Sequence, residues 1–134
     1  MIGIVIVAHG GLAAEYLSAM EHVVGKHPGT RAISISRSDD RKVKQDEIYA
    51  AIADVDTGDG VVVVTDIFGG TPSNLAVNAC KNGARQVIYG ANLPLLLKLA
   101  KSRHLDVAEA ARVACEAGHK YMNSMEPCAK AADK

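Results

Sequence analysis

Tryptophan is absent from this chain and phenylalanine occurs once, so the aromatic platforms on which single-stranded nucleic acids stack are missing. Neither sign of charge is in excess. The 15 Lys and Arg residues balance 15 Asp and Glu, leaving no broad basic surface for nucleic acid or anionic lipid. Long apolar runs are also missing: none exceeds strand length, and the first lacks the basic prelude and small-residue cleavage pattern of a signal peptide. A soluble, cytoplasmic protein is the expectation. Three cysteines, Cys80, Cys115 and Cys128, are odd in number, scattered and outside metal-ligand spacing, which argues against a disulfide framework or a zinc site. At 134 residues the chain suits one domain around a single sizeable core.

What is present begins with Gly3-Ile4-Val5-Ile6-Val7-Ala8-His9-Gly10-Gly11. A β-branched apolar run ending in one polar residue and two glycines reads as a parallel strand buried on both faces, delivering His9 at its carboxyl end. Ligands and chemistry in open α/β sheets collect there, beside helix amino termini. Val61-Val62-Val63-Val64-Thr65-Asp66 repeats the pattern, and Asp66 also precedes a glycine pair, Gly69-Gly70.

Between and after these strands the spacing predicts helices. Ala13, Tyr16, Leu17, Met20, Val23 and Val24 form one stripe, closed by Gly25. Residues 31–36 alternate like an edge strand. Ser38, Asp39 and Asp40 offer caps to a helix carrying Val43, Ile48, Ala51, Ile52 and Val55. Thr71 followed by Pro72 suggests a hydroxyl cap and a first helical position, with the helix running to Asn82-Gly83. Residues 86–90 give a fourth strand, and Asn92-Leu93-Pro94 opens a helix ending near Lys101. Asp106 and Glu109 suggest a capping box for a last helix, with Val107, Ala110, Ala111, Ala114 and Cys115 on one face and Gly118 as its stop. Residues 119–126 fit either a continued helix or a short alternating strand. The Ala/Lys-rich tail, 127–134, is expected to be disordered. The strand-helix alternation predicts an α/β fold, a doubly wound, mainly parallel four-stranded sheet with helices on both faces.

Two constellations carry possible chemistry. A carboxylate at Asp66 would accept from one ring nitrogen of His9, fix its tautomer and leave the other nitrogen nucleophilic; both residues capping strands at a solvated rim is the bland alternative. Phe68-Gly69-Gly70-Thr71-Pro72-Ser73-Asn74 has the makings of an oxyanion cradle, with an ordinary capped turn as its alternative. Neither a Walker loop nor a Gly-x-Gly-x-x-Gly fingerprint is present, which disfavours nucleotide binding. His22, His27, His104 and His119 lack partner spacing and read as surface or structural residues.

The segments Gly3 to Gly10, Val64 to Asn74 and Gly90-Ala91-Asn92-Leu93-Pro94-Leu95, in that order and spacing, resemble the IIA component of the mannose-type (mannose, fructose, sorbose) branch of the bacterial phosphoenolpyruvate-dependent sugar phosphotransferase system. The resemblance covers roughly residues 1–125 and implies one phosphotransferase IIA domain over 1–126. It implies a phosphocarrier: His9 accepts a phosphoryl group from the phosphorylated histidine carrier protein and passes it to a IIB component, with Asp66 as carboxylate partner. Donors from Gly69, Gly70, Thr71 and Ser73 would hold the phosphoryl oxygens, and no cofactor is implied. The chain ends soon after the IIA region, so the expected IIB partner is a separate chain, with peripheral association at a membrane transporter. A homodimer is also implied, in which a fifth, antiparallel edge strand from residues 119–126 crosses to the partner's sheet. A regulatory phosphosensor acting through protein binding, or the phosphocarrier subunit of a dihydroxyacetone kinase, are the alternative functions.

Overall fold

The computed structural model describes residues 1–127; the expected disorder of the tail falls mostly on residues 128–134, outside the described residues. Nine elements follow in order: β1 Gly3–His9, α1 Leu12–Val24, β2 Thr30–Ile35, α2 Arg41–Val55, β3 Val61–Thr65, α3 Gly70–Ala79, β4 Arg85–Ile88, α4 Leu93–Lys101 and α5 Val107–Lys120. The four strands form one parallel sheet in the order β2-β1-β3-β4. As the apolar runs predicted, β1 and β3 are central, and the doubly wound α/β architecture is present.

Side-chain alternation along β1 divides the core in two. Ile2, Ile4, Ile6 and Ala8 pack with α1, α4 and α5 through Met20, Leu96, Leu99 and Ala110. Val5 and Val7 face α2 and α3 through Ile48, Ile52, Leu75 and Ala76. Each fully buried Ile or Leu contributes roughly 1.5–3 kcal/mol of transfer free energy, which holds helices on both faces. Val43, expected on the buried stripe of α2, is 61% exposed; at 100° per residue it lies about 140° around the helix from Ile48. Val23, in the last turn of α1, is also exposed.

Several boundaries differ from the sequence expectations. Gly118 does not stop α5, which runs on to Lys120. Its role is close approach: a Cβ there would lie 3.2 Å from Leu95 Cβ, and Asn92 Nδ2 donates to its carbonyl at 3.0 Å. Asn92 also caps α4 by accepting from the Leu95 N–H, so one residue ties α4 to α5. Beyond Tyr121, residues 122–126 carry no regular structure, and among the described residues the sheet has four strands. α3 begins at Gly70 behind Gly69, not behind a Thr71 cap, because the two glycines turn the chain with φ of 85° and 82°. Pro72 is therefore its third residue, where a missing N–H still costs no helical bond. The helix ends at Ala79, earlier than Asn82-Gly83, where Arg85 Nη1 donates to the freed Ala79 carbonyl. The Asp106–Glu109 box is half formed. Asp106 accepts from the Glu109 N–H, while the Glu109 carboxylate turns to Arg112.

Candidate active site

The strand order places a switch point between β1 and β3: the chain leaves β1 toward β2 and leaves β3 toward β4, opening a crevice at their carboxyl ends. β3 ends at Thr65, opposite Val7, so β1 overshoots it by two residues. The His9 N–H, reaching for a strand that has ended, donates to Asp66 Oδ2 at 3.0 Å instead. The same oxygen lies 2.8 Å from His9 Nδ1, and the Ile67 N–H donates to Oδ1 at 2.9 Å. On the other side the Gly10 N–H donates to the Ile35 carbonyl. A side-chain carboxylate on one side and a backbone carbonyl on the other thus fix the turn that carries the imidazole.

The Asp66 side chain is 6% exposed and that of His9 53%. Burial pushes the Asp66 carboxyl upward, but hydrogen bonds from the His9 N–H, the His9 ring and the Ile67 N–H outweigh it and hold the group below the ordinary carboxylate value. An ionised carboxylate only accepts, so the proton of a neutral imidazole resides on Nδ1 and the Nε2 lone pair faces the crevice. The two residues are brought together as a hydrogen-bonded pair rather than as separate strand caps.

Gly70 closes one side of the ring. A Cβ built on it would lie 3.6 Å from His9 Cε1 and 3.7 Å from Nε2, and its φ of 82° disfavours any L side chain. The first turn of α3, with its unpaired N–H groups, is thereby set beside the exposed nitrogen. Gly69 caps this helix with open space about its Cα. Thr71 Oγ1 accepts from Arg41 Nη1 at 3.3 Å, and Ser73 is buried along a groove of about 450 Å³ shared with Arg41 and Phe68. His9 and Asp66 are therefore hydrogen-bonded and Gly70 lies beside the ring, while Thr71 and Ser73 stand in the adjoining turn without a bond to the imidazole among the described residues.

Two residues near the site escaped the sequence reading. Tyr16, counted there only as part of an apolar stripe, donates its hydroxyl to the Ala91 carbonyl at 3.0 Å, tying α1 to the loop before α4. Burial raises its pKa, and the Asp66 charge adds to this. Arg41, the other, opens α2 and reaches across to Thr71. Around the crevice mouth Ile67, Phe68 and Tyr89 are more than half exposed, and the Phe68 and Tyr89 rings meet with centroids 4.8 Å apart. His22, His27, His104 and His119 are exposed, away from the pair. Among the described residues, no three His, Cys, Asp or Glu side chains are grouped to hold a metal, and no helix is long and apolar enough to cross a membrane.

Comparison with known proteins gives a consistent likeness. Residues 3–115 match the family model described as the PTS system fructose IIA component, of mannose type. The chain is 29% identical over 136 residues to the PTS system mannose-specific EIIAB component of Escherichia coli K12, covering 98% of this chain and 42% of that protein. It thus spans less than half the length of those mannose-specific relatives. It is 31% identical over 98 residues to the PTS system sorbose-specific EIIA component of Lacticaseibacillus casei, covering 72% and 70% of the two chains. Solved structures share the fold. Phosphotransferase system component EIIA from Streptococcus agalactiae superposes with a TM-score of 0.83 at 23% identity, over 92% of this chain and 97% of that one. The mannose/sorbose specific IIA subunit from Enterococcus faecalis gives 0.82 at 24% identity, over 93% and 95%.

Proposed function

The chain belongs to the PTS fructose IIA component family of mannose type, a family of phosphocarriers, and from that premise we propose that His9 is the residue that carries the phosphoryl group. The observation that supports this most is the 2.8 Å contact between His9 Nδ1 and Asp66 Oδ2, which in the neutral ring leaves the Nε2 lone pair free on a half-exposed side chain beside the amino terminus of α3. In the proposed step the Nε2 lone pair attacks phosphorus on the phosphorylated histidine carrier protein. The N–P bond of the donor breaks, and its electron pair returns to the departing imidazole. No proton moves: Nδ1–H stays on Asp66, whose charge stabilises the positive character the ring gains. The reverse logic passes the group to a IIB component.

Transfer of this kind proceeds through a loose transition state with charge spread over three phosphoryl oxygens, so positioned donors matter more than a metal. Gly69, Gly70, Thr71 and Ser73, in the first turn of α3, are the proposed cradle. Exposed Phe68, Tyr89 and Ile67 suit a protein partner, since the reacting group must be reached by another folded domain in the cytoplasm. The exposed Tyr121, Met122 and Met125, with β4 as an open sheet edge, support a homodimer closed by the carboxyl-terminal segment. Truncation after Tyr121 should then lower the mass seen by light scattering to that of a monomer.

The direct test mixes the chain with labelled phosphoenolpyruvate, enzyme I and the histidine carrier. An acid-labile, base-stable adduct is expected on the native chain and none on His9→Ala. Equal labelling of that variant would overturn the assignment.

A further inference from the structure

Arg41 is the first residue of α2, just behind the Asp40 cap, and its side chain leaves its own helix to donate from Nη1 to Thr71 Oγ1, 30 residues on. It takes part in none of the ion pairs formed among the described residues, although Lys42 and Lys44 beside it are both paired with carboxylates. α2 and α3 are already joined further along by Gln45 Nε2 donating to the Leu75 carbonyl and by the Tyr49 hydroxyl donating to that of Asn78. The Arg41–Thr71 bond is the rung nearest the crevice. Thr71 directly follows Gly70, the residue set against His9 Nε2.

A guanidinium has donors only, so Thr71 Oγ1 must accept from Arg41 and its single hydroxyl proton is left for another acceptor. Donation from a cation also polarises the hydroxyl and strengthens it as a donor in turn. We propose that Arg41 is a positioning residue for phosphoryl transfer: by occupying the acceptor side of Thr71 Oγ1, it commits the hydroxyl proton to an oxygen of the phosphoryl group on His9. This rests on the reading that His9 carries the phosphoryl group and that Thr71 belongs to its cradle. The bond costs the resting protein little, being exposed, and matters when three charged oxygens arrive.

The test is a double-mutant cycle on the full chain, reading initial phosphotransfer rates across a range of phosphorylated carrier concentrations. Arg41→Ala should lower the maximal rate about fivefold and leave the half-saturating carrier concentration within about twofold, the loss of one charge-assisted bond. In a Thr71→Val background, where the hydroxyl is gone, Arg41→Ala should change the rate by less than about twofold. An equal fall in both backgrounds, a native rate for the single variant, or an effect confined to the half-saturating concentration would each overturn the proposal. A mere rung between helices would alter the unfolding midpoint and not the rate. Failure of the native chain to label at His9 is a separate result, since it removes the underlying reading along with the relay, whereas normal His9 labelling with no Arg41 effect removes the relay alone.

Discussion

The two ends of the sheet each bury one charged side chain against β1, and they use it in opposite ways. At the amino end Arg103, 7% exposed, donates from Nε to the Ile2 carbonyl at 2.7 Å while the Ile2 N–H donates to the Arg103 carbonyl. Neighbouring strand starts are tied likewise, Gly3 to Gly60, Ile4 to Gly29 and Val61 to Ala84. At the carboxyl end Asp66 is equally sunk, yet its bonds go to a half-exposed imidazole among glycines and uncovered apolar side chains. One end consumes its charge in closing the fold. The other directs its charge at a group that faces outward, which is the difference between a staple and a site.

Substituting the two charges should separate these roles. Asp66→Asn should give the largest effect: the amide keeps the size but removes the charge and presents a donor toward Nδ1, so the initial phosphotransfer rate should fall roughly tenfold to a thousandfold. A folded variant within about twofold of the native rate would reduce Asp66 to a strand cap. The pH dependence of stability has a definite sign here. Because the folded-state pKa of Asp66 is lowered, its contribution is present above the unfolded value of about 4 and is lost as pH falls through the lower folded value. The stability gap between native chain and Asp66→Asn, followed by urea unfolding, should therefore be flat near neutrality and shrink only in acid.

Arg103→Met should do the reverse. It leaves the Ile2 carbonyl without its side-chain donor in a buried setting, a loss of about 1–3 kcal/mol in urea unfolding, while the transfer rate of the folded fraction stays native. A rate defect without a stability defect would break the contrast between the two ends. The smallest expected effect belongs to the crevice mouth. Phe68→Ala removes a largely exposed ring paired with Tyr89, so stability should change by less than about 0.5 kcal/mol, while the half-saturating concentration of phosphorylated carrier rises several-fold. An unchanged value would place partner contact elsewhere on the surface.

The carboxyl end was far more legible in the sequence than the amino end. Two β-branched runs announced the central strands, and each stopped at an ionisable residue before glycines, so His9, Asp66 and the glycine turn stood out by local pattern alone. Asp40, Asn92 and Asp106 were readable as caps for the same reason, since a capping bond reaches only two or three residues along the chain. Arg103 left no such trace. Its acceptor is 101 residues away, and in sequence it is one more basic residue near a helix end. Arg41, Tyr16 and Gly118 are alike in this, because their partners lie on other elements and only packing defines them. Thr71 misled for a related reason: Thr-Pro is a good helix opening, but two glycines just before it started the helix first.

The central claim is that Asp66 holds the Nδ1 proton of His9 and leaves Nε2 as the nucleophile. The measurement that tests it most directly is nitrogen NMR of the chain carrying nitrogen-labelled histidine, before and after phosphorylation by the carrier. The geometry predicts that the neutral ring carries its proton at Nδ1 beforehand and shows a phosphorus–nitrogen coupling at Nε2 afterwards. A phosphoryl group found on Nδ1 would contradict it, because that nitrogen would have had to leave Asp66 to react.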